Sequence, residues 1–229
     1  MLLLAAGRGT RFRGEVPKAF ADLGGAPILV RSAERLCRVA DPRRGEGELL
    51  VVAAKDDRAG PMRNCEKALS ALGARFVDGG ATRQQSMANG FSASDPSCEV
   101  VLVHDAARPF FPIEAARACI ARALEQGAAL LAIPCPDTPK LVAGGFVERT
   151  LDRGSTWLAQ TPQAIRRDVL AEALRRAREG DFRGTDDVSL VEHAGGRVAV
   201  VEGSPSNLKI TRPSDLALAE AILGREVDR

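Results

Sequence analysis

The sequence predicts an α/β fold in which a mostly parallel sheet is covered by helices on both faces. Two observations favour this class. Short apolar runs alternate along the chain with segments of helical periodicity, the pattern expected of parallel strands joined by helices. The chain also has 229 residues, of which 45% are hydrophobic, enough for one large domain with a substantial core. We therefore expect residues 1–229 to form a single domain.

The predicted elements follow one another in order from the first apolar run. That run, at residues 2–4, is short and fully apolar, as expected of a buried strand. The first helix covers 28–39, where Leu29, Ala33 and Leu36 share one face. The remaining predicted strands are 49–53, 75–77, 99–104, 128–133 and 197–201, and the remaining predicted helices are 59–72, 82–93, 114–126 and 166–178.

One segment departs from this alternation. Residues 136–150 show no helical period, and the runs 140–143 and 146–150 flank Gly144-Gly145, a pair that favours a hairpin turn. An isolated two-stranded hairpin is only marginally stable in water, so its apolar side chains need a surface to cover them. The segment 136–152 therefore either folds back on its own domain or protrudes as a β-arm.

Charge and cysteine content exclude several classes of protein. Lys and Arg number 32 against 30 Asp and Glu, and the net charge of +2 gives no general attraction for nucleic acid or an anionic membrane. The five cysteines are odd in number and form no C-x-x-C pair, so reduced thiols are expected rather than disulfides or a zinc site. The opening Met-Leu-Leu-Leu run is too short for a secretion signal, and we expect a cytoplasmic protein.

The first strand runs directly into a glycine-rich turn. Residues 4–11 read LAAGRGTR, and Pro17-Lys18 follow after a spacer. Small residues let backbone N–H groups approach an anion, while Arg11 and Lys18 add positive charge beside them. The turn lacks the P-loop spacing and the third glycine of the dinucleotide fingerprint. It predicts a phosphate cradle, with an ordinary strand-to-helix turn as the alternative.

The turn resembles the opening of sugar-nucleotide pyrophosphorylases and related nucleotidyltransferases. Four later motifs make the resemblance closer: VHDAARP at 103–109, QTPQ at 160–163, TDD at 185–187 and NLKITRP at 207–213. These motifs and their order resemble those of the methylerythritol phosphate cytidylyltransferase family, the CTP-using enzymes of the non-mevalonate isoprenoid pathway. The resemblance covers nearly the whole chain. It implies a Rossmann-like nucleotidyltransferase fold of the GT-A-like kind, and transfer of a CMP group from CTP to 2-C-methyl-D-erythritol 4-phosphate with release of pyrophosphate.

Joining two polyanions requires cations and backbone donors more than an acid or a base, because a phosphate monoester is already ionised near neutral pH. The resemblance implies Arg11 and Lys18 as catalytic cations. Asp105 follows the apolar strand 100–103, at the sheet edge where open α/β folds bind ligands. It is the third catalytic candidate and a possible ligand of Mg²⁺, most of whose ligands would be CTP phosphates. A plain ion pair between Asp105 and Arg108 is the simpler alternative.

Further residues are implied in binding the nucleotide. They are Ala5, Ala6, Gly7, Arg8, Gly9, Thr10, Gly80, Arg83, Ser86 and Ala106. Gly80 and Ser86 belong to a segment that the family uses for the cytosine ring, although Thr82 could simply be the N-cap of a helix there. Family members often carry an acidic residue where this chain has Ala81. Cytosine recognition then depends on backbone groups and Ser86.

A third set of residues is implied in binding the acceptor phosphate and sugar: Arg108, Thr138, Arg153, Thr161, Thr185 and Lys209. The family resemblance also implies a homodimer in which the arm carries Thr138 and Arg153 into the neighbouring site. Each residue has a structural alternative, such as an N-cap for Thr185 and plain surface for Lys209. We expect His104 to be a hydrogen-bonded structural histidine and Trp157 to be a core residue.

Two other functions are compatible with parts of the pattern. Ribitol-5-phosphate cytidylyltransferases share the glycine turn and the Thr-Pro-Gln motif, but Ala106-Ala107 and the TDD motif favour methylerythritol phosphate. A non-catalytic, nucleotide-binding regulatory domain is the other candidate. The presence together of Arg11, Lys18, Asp105 and Lys209 argues against that loss of catalysis.

Overall fold

The computed structural model describes residues 1–7, 12 and 16–227. Apolar β-branched and leucine runs form its central strands, which are buried on both faces. In chain order the strands are β1 (Leu2–Leu4), β2 (Leu49–Ala53), β3 (Ala74–Asp78), β4 (Val100–Asp105), β5 (Ala128–Pro134), β6 (Lys140–Ala143), β7 (Phe146–Thr150), β8 (Trp157–Arg166) and β9 (Ala199–Glu202).

Helices connect most of these strands, and two short 3-10 turns, Lys18–Phe20 and Pro42–Arg44, lie in the connections. The helices in chain order are α1 (Ile28–Cys37), α2 (Lys55–Ala59), α3 (Arg63–Ala71), α4 (Arg83–Ala93), α5 (Ile113–Gln126), α6 (Arg167–Glu179), α7 (Val188–His193) and α8 (Ser214–Val227). None of the helices that the structure describes is both long and apolar enough to cross a membrane.

Seven strands form one mixed sheet in the order β3-β2-β1-β4-β8-β5-β9. Neighbouring strands are parallel except where β8 pairs antiparallel with β4 and β5. In this register Leu4 lies between Val52 and Asp105, so β1, β2 and β4 end at the same edge. The prediction of a mostly parallel sheet is confirmed.

Helices cover both faces of the sheet, as the sequence predicts. On one face Leu3 and Val51 pack with buried residues of α1, α3 and α5. On the other face Leu2 and Leu50 pack with α4, α6 and α7. The alternation along β1 and β2 thus divides one apolar run between two cores, which is why these strands contain no polar residue.

The structure differs from the sequence prediction in several elements. The helix predicted at 59–72 is the shorter α3, which begins at Arg63 because Pro61 separates it from α2 and cannot continue a helix. The strand β8 and the helices α2, α7 and α8 were not predicted. Trp157 begins β8 and is 41% exposed, so its prediction as a core residue was wrong.

The predicted hairpin is confirmed as a separate sheet of β6 and β7. Gly144 and Gly145 both have positive φ, at 58° and 86°, a backbone that only glycine adopts without strain and that closes a tight hairpin turn. Every residue of both strands is exposed, and Phe146 reaches 80%. The hairpin therefore protrudes as an arm instead of folding back on the described domain.

Candidate active site

A cleft of about 690 Å³ opens where β1 to β4 end. The carboxyl ends of parallel strands are the usual binding edge of an open α/β sheet. The residues lining the cleft are Leu4, Ala5, Ala6, Gly7, Lys18, Ala19, Ala54, Lys55, Asp56, Gly79, Gly80, Ala81, Thr82, Arg83, Ser86, Asp105, Ala106, Ala107 and Lys209. Its volume lies within the range typical of small-molecule sites.

The cleft brings together most of the predicted nucleotide-binding and catalytic residues. The predicted residues that line it are Ala5, Ala6, Gly7, Lys18, Gly80, Arg83, Ser86, Asp105, Ala106 and Lys209. Four other predicted residues, Arg8, Gly9, Thr10 and Arg11, lie outside the described part of the chain. Lys55 and Asp56 also line the cleft and were not predicted.

Close packing fixes the turn at Gly79 and Gly80, which lines the cleft. A Cβ atom on Gly79 would lie 2.5 Å from the Ala6 Cβ, and one on Gly80 would lie 2.4 Å from the Gln85 Cβ. Both separations are far below van der Waals contact, so only glycine lets this turn approach β1 and α4 so closely. Glycine is therefore required here by packing, and the role of Gly80 in letting a ligand approach the backbone stays a prediction.

The segment before α4 is held by its own hydrogen bonds. Thr82 is the N-cap of α4, and its hydroxyl accepts from the Gln85 amide at 3.1 Å. The Ser86 hydroxyl accepts from the Gly80 amide at 3.0 Å and donates to the Thr82 carbonyl at 2.9 Å. The Ala81 amide donates to the Gln85 side chain at 2.9 Å. Ser86 therefore fixes the loop that borders the cleft, and its contact with a nucleotide stays a prediction.

Four charged side chains form a connected network at the cleft. Lys209 Nζ donates to Asp105 Oδ2 at 2.6 Å, and Arg83 donates to Asp105 Oδ1 from Nε at 3.2 Å and from Nη2 at 3.1 Å. Arg83 also reaches Asp187, at 2.8 Å from Nη1 to Oδ1 and 2.7 Å from Nη2 to Oδ2. Arg83 thus connects the β4 carboxylate with a carboxylate that precedes α7.

The network sets the ionisation of its members. Burial alone would raise the pKa of Asp105, but Arg83 and Lys209 outweigh it and hold that pKa well below its usual range. Burial also disfavours the charged form of Arg83, yet Asp187 and Asp105 outweigh it and raise the pKa of the guanidinium. Burial raises the pKa of Asp187, and its bidentate pair with Arg83 opposes the rise. Asp105 therefore stays a carboxylate at neutral pH.

His104 has a structural role, as the sequence analysis expects. Its Nε2 donates to the Arg108 carbonyl at 2.9 Å, which leaves Nδ1 to accept from the Thr161 hydroxyl at 3.0 Å. The Thr161 oxygen in turn accepts from the Asp105 amide at 3.1 Å. Burial lowers the pKa of His104 to about 3, so the ring is neutral at physiological pH. The chain of bonds fixes the backbone at the end of β4.

The QTPQ motif is a second structural centre, on β8. Gln163 accepts at Oε1 from the amides of Asp187 and Val188 at 3.0 and 3.1 Å. Gln160 donates to the Ser204 carbonyl at 2.8 Å and accepts from Asn207 at 2.9 Å. These buried amides tie β8 to the segments that carry Asp187 and Lys209. The sequence analysis singled out their motifs but assigned none of the three amide side chains a role.

The predicted acceptor residues occupy several places. Lys209 lines the cleft, whereas Arg108 does not line it and donates to the Asn207 carbonyl at 2.7 Å. Burial lowers the pKa of the Arg108 guanidinium. Thr161 is buried, and its hydroxyl is bonded to His104 and to the Asp105 amide. Thr138, Arg153 and Thr185 are exposed and do not line the cleft, and Thr185 is not the N-cap of α7, whose cap position is Asp187.

The chemistry of the donors limits what metal the cleft can hold. The described residues contain no group of three or more His, Cys, Asp or Glu side chains suited to a metal ion. Asp105 offers one ionised carboxylate in the cleft, and both of its oxygens already accept from cations. Such a donor suits Mg²⁺ that arrives with substrate phosphates, since Mg²⁺ is commonly held by one or two carboxylates plus phosphate oxygens and water.

Comparison with known proteins agrees with this geometry. A relative from Geobacillus thermodenitrificans named 2-C-methyl-D-erythritol 4-phosphate cytidylyltransferase is 40% identical over 226 residues, which is 99% of this chain and 97% of that protein. The crystal structure of a protein of that name from Thermus thermophilus superposes with a TM-score of 0.78 at 37% identity, covering 98% of each chain. The 4-diphosphocytidyl-2C-methyl-D-erythritol synthase of Anaerococcus prevotii gives a TM-score of 0.81 at 31% identity, covering 98% of this chain and 97% of that one.

These matches extend across the whole fold, including the sheet, the cleft and the arm. The family model described as 2-C-methyl-D-erythritol 4-phosphate cytidylyltransferase matches residues 1–225. The fold is therefore that of the nucleotidyltransferases, as the resemblance implied, and the chain belongs to the IspD family of 2-C-methyl-D-erythritol 4-phosphate cytidylyltransferases.

Proposed function

We propose that this protein transfers the CMP group of CTP to 2-C-methyl-D-erythritol 4-phosphate, forming 4-diphosphocytidyl-2-C-methyl-D-erythritol and pyrophosphate in non-mevalonate isoprenoid synthesis. The observation that carries the proposal is the cleft, which Lys18 and Lys209 line together with the small residues that follow β1. Cations and accessible backbone amides in one cleft are what a reaction between two polyanions needs.

The end of β1 forms the triphosphate side of the site. Ala5, Ala6 and Gly7 present backbone without bulky side chains, and a Cβ on Gly7 would meet no atom within 4 Å. The triphosphate can therefore approach this backbone closely. Lys18 supplies a compact positive charge at the same wall, and the sequence assigns Arg11 the same task.

The reaction forms one bond and breaks one. A phosphate oxygen of the acceptor attacks the α-phosphorus of CTP, and the bond from that phosphorus to the bridging oxygen of the β-phosphate breaks, so pyrophosphate leaves with the electron pair. No side chain needs to remove a proton from the ionised nucleophile. Lys18 and Lys209 lower the repulsion between the two anions and stabilise charge on the leaving group.

Mg²⁺ is part of this proposal as a companion of the nucleotide. When bound, it would neutralise part of the triphosphate charge and polarise the phosphorus that is attacked. Asp105 is the residue that would contribute a ligand, because it is the ionised carboxylate that Arg83 and Lys209 hold in the cleft. Loss of activity in EDTA and recovery with Mg²⁺ would support this role, and full activity in chelator would contradict it.

Cytosine recognition falls to the loop before α4. We infer that the base approaches the backbone at Gly80, which lines the cleft, and the adjacent Ala81 offers only a methyl group there. The specificity for CTP then rests on backbone groups and the shape of this wall.

The arm is the proposed link to a second subunit. Its exposed apolar side chains, including Phe146 and Val147, need a partner surface that the described domain does not supply. Arg153 and Thr138 lie at the two ends of the arm and outside the cleft of their own chain. A homodimer in which each arm completes the neighbouring site would bring Arg153 and Thr138 to the acceptor phosphate. We also propose that the enzyme is located in the cytoplasm.

A substrate panel tests the function directly. Purified protein is assayed for pyrophosphate release with CTP, ATP, GTP and UTP, each with methylerythritol phosphate or ribitol 5-phosphate. We expect release only with CTP and methylerythritol phosphate. Preference for ribitol phosphate would favour the ribitol enzyme, and CTP binding without release would favour a regulatory domain. The relatives' names and the charged residues kept in the cleft support catalysis with methylerythritol phosphate.

A further inference from the structure

Asp187 does not line the cleft, yet its contacts with Arg83 are shorter than those that Arg83 makes with Asp105. Its side chain is 1% exposed, and it meets Arg83 in a bidentate pair at 2.7 and 2.8 Å. The contacts from Arg83 to Asp105 are longer, at 3.1 and 3.2 Å. The Arg83 guanidinium is therefore anchored on Asp187 and presented to Asp105, and all three of its nitrogens are occupied.

The backbone of Asp187 is fixed in turn by the centre of the sheet. Gln163 accepts from the Asp187 amide at 3.0 Å, and Gln163 lies on β8 directly opposite Val103 of β4. Two residues after Val103 comes Asp105. The contacts thus form a closed ring that runs from β4 through Arg83, Asp187 and Gln163 back to β4. A ring of this kind sets the position of the Asp105 carboxylate from two directions.

We propose that Asp187 is a positioning residue, which acts through Arg83 to hold the Asp105 carboxylate in the cleft. The proposal rests on the proposed function, because Asp105 matters only if the cleft carries out the transfer. It assigns Arg83 a different task from direct binding of the triphosphate. A small displacement of a catalytic group is enough to slow a reaction about 100-fold, so a residue outside the cleft can control the rate.

The first test is Asp187→Asn, which keeps the size of the side chain and removes its charge. With both substrates saturating, we expect kcat to fall about 10- to 100-fold, while KM for CTP changes less than about threefold. Asp187 is not at the cleft surface, so the ground-state binding of CTP should change little. Unchanged kcat in a folded variant would overturn the proposal, and an inactive wild-type protein would instead refute the proposed function.

A matched control separates positioning from a general loosening of the segment before α7. Gln84 follows Arg83 and holds that same segment, donating to the Phe182 carbonyl at 3.2 Å and accepting from the Gly184 amide at 3.0 Å. Gln84→Ala therefore loosens residues 182–184 without touching the Arg83 to Asp187 pair. We expect it to keep kcat near the wild-type value. An equal loss of kcat in Gln84→Ala would show that Asp187 acts only by holding the segment.

A double-mutant cycle tests whether the effect passes through Arg83. Arg83→Met removes the guanidinium and leaves the buried Asp187 without its partner. If Asp187 acts through Arg83, Asp187→Asn should cause no further loss of kcat in the Arg83→Met background. The double variant should also melt at a higher temperature than Arg83→Met alone, since it no longer buries an unpaired charge. Losses of kcat that multiply in the double variant would contradict the proposal.

Discussion

Lys18 lines the cleft together with the small residues that follow β1. It begins the 3-10 turn Lys18–Phe20, whose other two residues, Ala19 and Phe20, are buried and anchor it. Because the task proposed for its ammonium is to act on phosphate charge and not to pack in the core, Lys18→Ala should lower kcat by about 100-fold or more. Steady-state pyrophosphate release measures the loss, and the sequence predicts the same result for Arg11→Ala.

The control for this prediction is Lys67→Ala, which removes an exposed lysine of α3 away from the cleft. It should leave kcat unchanged. Circular dichroism and thermal melting should be alike for the wild type and both lysine variants. If Lys18→Ala were folded and nearly fully active, Lys18 could not have the assigned role.

The buried, neutral state of His104 predicts a dependence of stability on pH. The pKa of His104 is about 3 in the folded chain, against 6.5 for an exposed histidine. Between these values the unfolded chain binds a proton that the folded chain does not. The stability contributed by the neutral His104 ring is therefore fully present above pH 6.5. As the pH falls below 6.5, the free energy of unfolding decreases by at most about 1.4 kcal/mol per pH unit.

Chemical denaturation at pH 7 and pH 5 measures this effect. The wild type should lose more stability between the two values than His104→Gln, which carries no ionisable ring. The ring resonances of His104 provide a second readout in the folded protein. They should stay constant from pH 7 to pH 5, and a titration in that range would contradict the buried, neutral assignment.

At this scale the sequence identifies residues whose chemistry shows in a local motif. Lys18 follows the glycine-rich turn, Asp105 follows an apolar strand and Lys209 belongs to the NLKITRP motif. The structure brings all three into one cleft. Asp187 and Gln163 were not assigned roles, because their partners are distant along the chain. Asp187 meets Arg83 across 104 positions, and no local pattern encodes that pairing.

At the scale of elements, the start of α4 gives a sharp prediction. A Cβ on Gly80 would lie 2.4 Å from the Gln85 Cβ, which is fixed to the helix and cannot rotate away. Gly80→Ala must therefore displace the loop that we propose binds the cytosine ring. We expect KM for CTP to rise about tenfold or more, with a smaller change in KM for the acceptor.

Gly224→Ala is the matched control for this glycine. Gly224 lies in α8, where an added Cβ meets no atom within 4 Å. Alanine favours a helix over glycine, so this variant should be as stable as the wild type or slightly more stable, with unchanged kinetics. A normal KM for CTP in Gly80→Ala would show that the loop tolerates displacement.

The elements that the sequence predicts best are uninterrupted apolar runs and helices with a clear helical repeat of apolar residues. The apolar strands β1 and β2 and the helix α1 fall within two residues of their predicted bounds. Strand β8 was missed because its polar residues, including Gln160 and Gln163, interrupt the apolar pattern. They are tolerated inside because they bond to other segments. Helix α8 does carry a helix-forming run of Leu, Ala and Glu, so a propensity count would have found it.

At the scale of the molecule, the arm predicts that active sites are shared between subunits. Arg153→Ala should raise KM for the acceptor far more than KM for CTP, because it would touch only the acceptor phosphate. Arg153→Ala and Lys18→Ala proteins, both nearly inactive at an acceptor concentration well below the raised KM, are refolded together, and one site of each heterodimer can then contain both intact residues. Part of the activity should return.

The exposed Phe146 supplies the control for this mixing experiment. Phe146→Asp, introduced into both proteins, places a charge in the apolar surface of the arm and should prevent both dimerisation and recovery. Sedimentation reports the state of each mixture. Failure of the unmodified pair to recover activity, despite forming a heterodimer, would mean that each site takes both residues from one chain.

Strand β8, which is antiparallel to both of its neighbours, also limits how far the sheet can form while the chain is being synthesised. The first four strands of the sheet come from residues before 106, but the open side of β4 is closed only by β8, where Val100 pairs with Arg166. Until β8 emerges, a nascent chain carries a bare strand edge, the kind of surface that templates aggregation. Chaperone capture should therefore be strongest for ribosome-bound chains that end between β4 and β8.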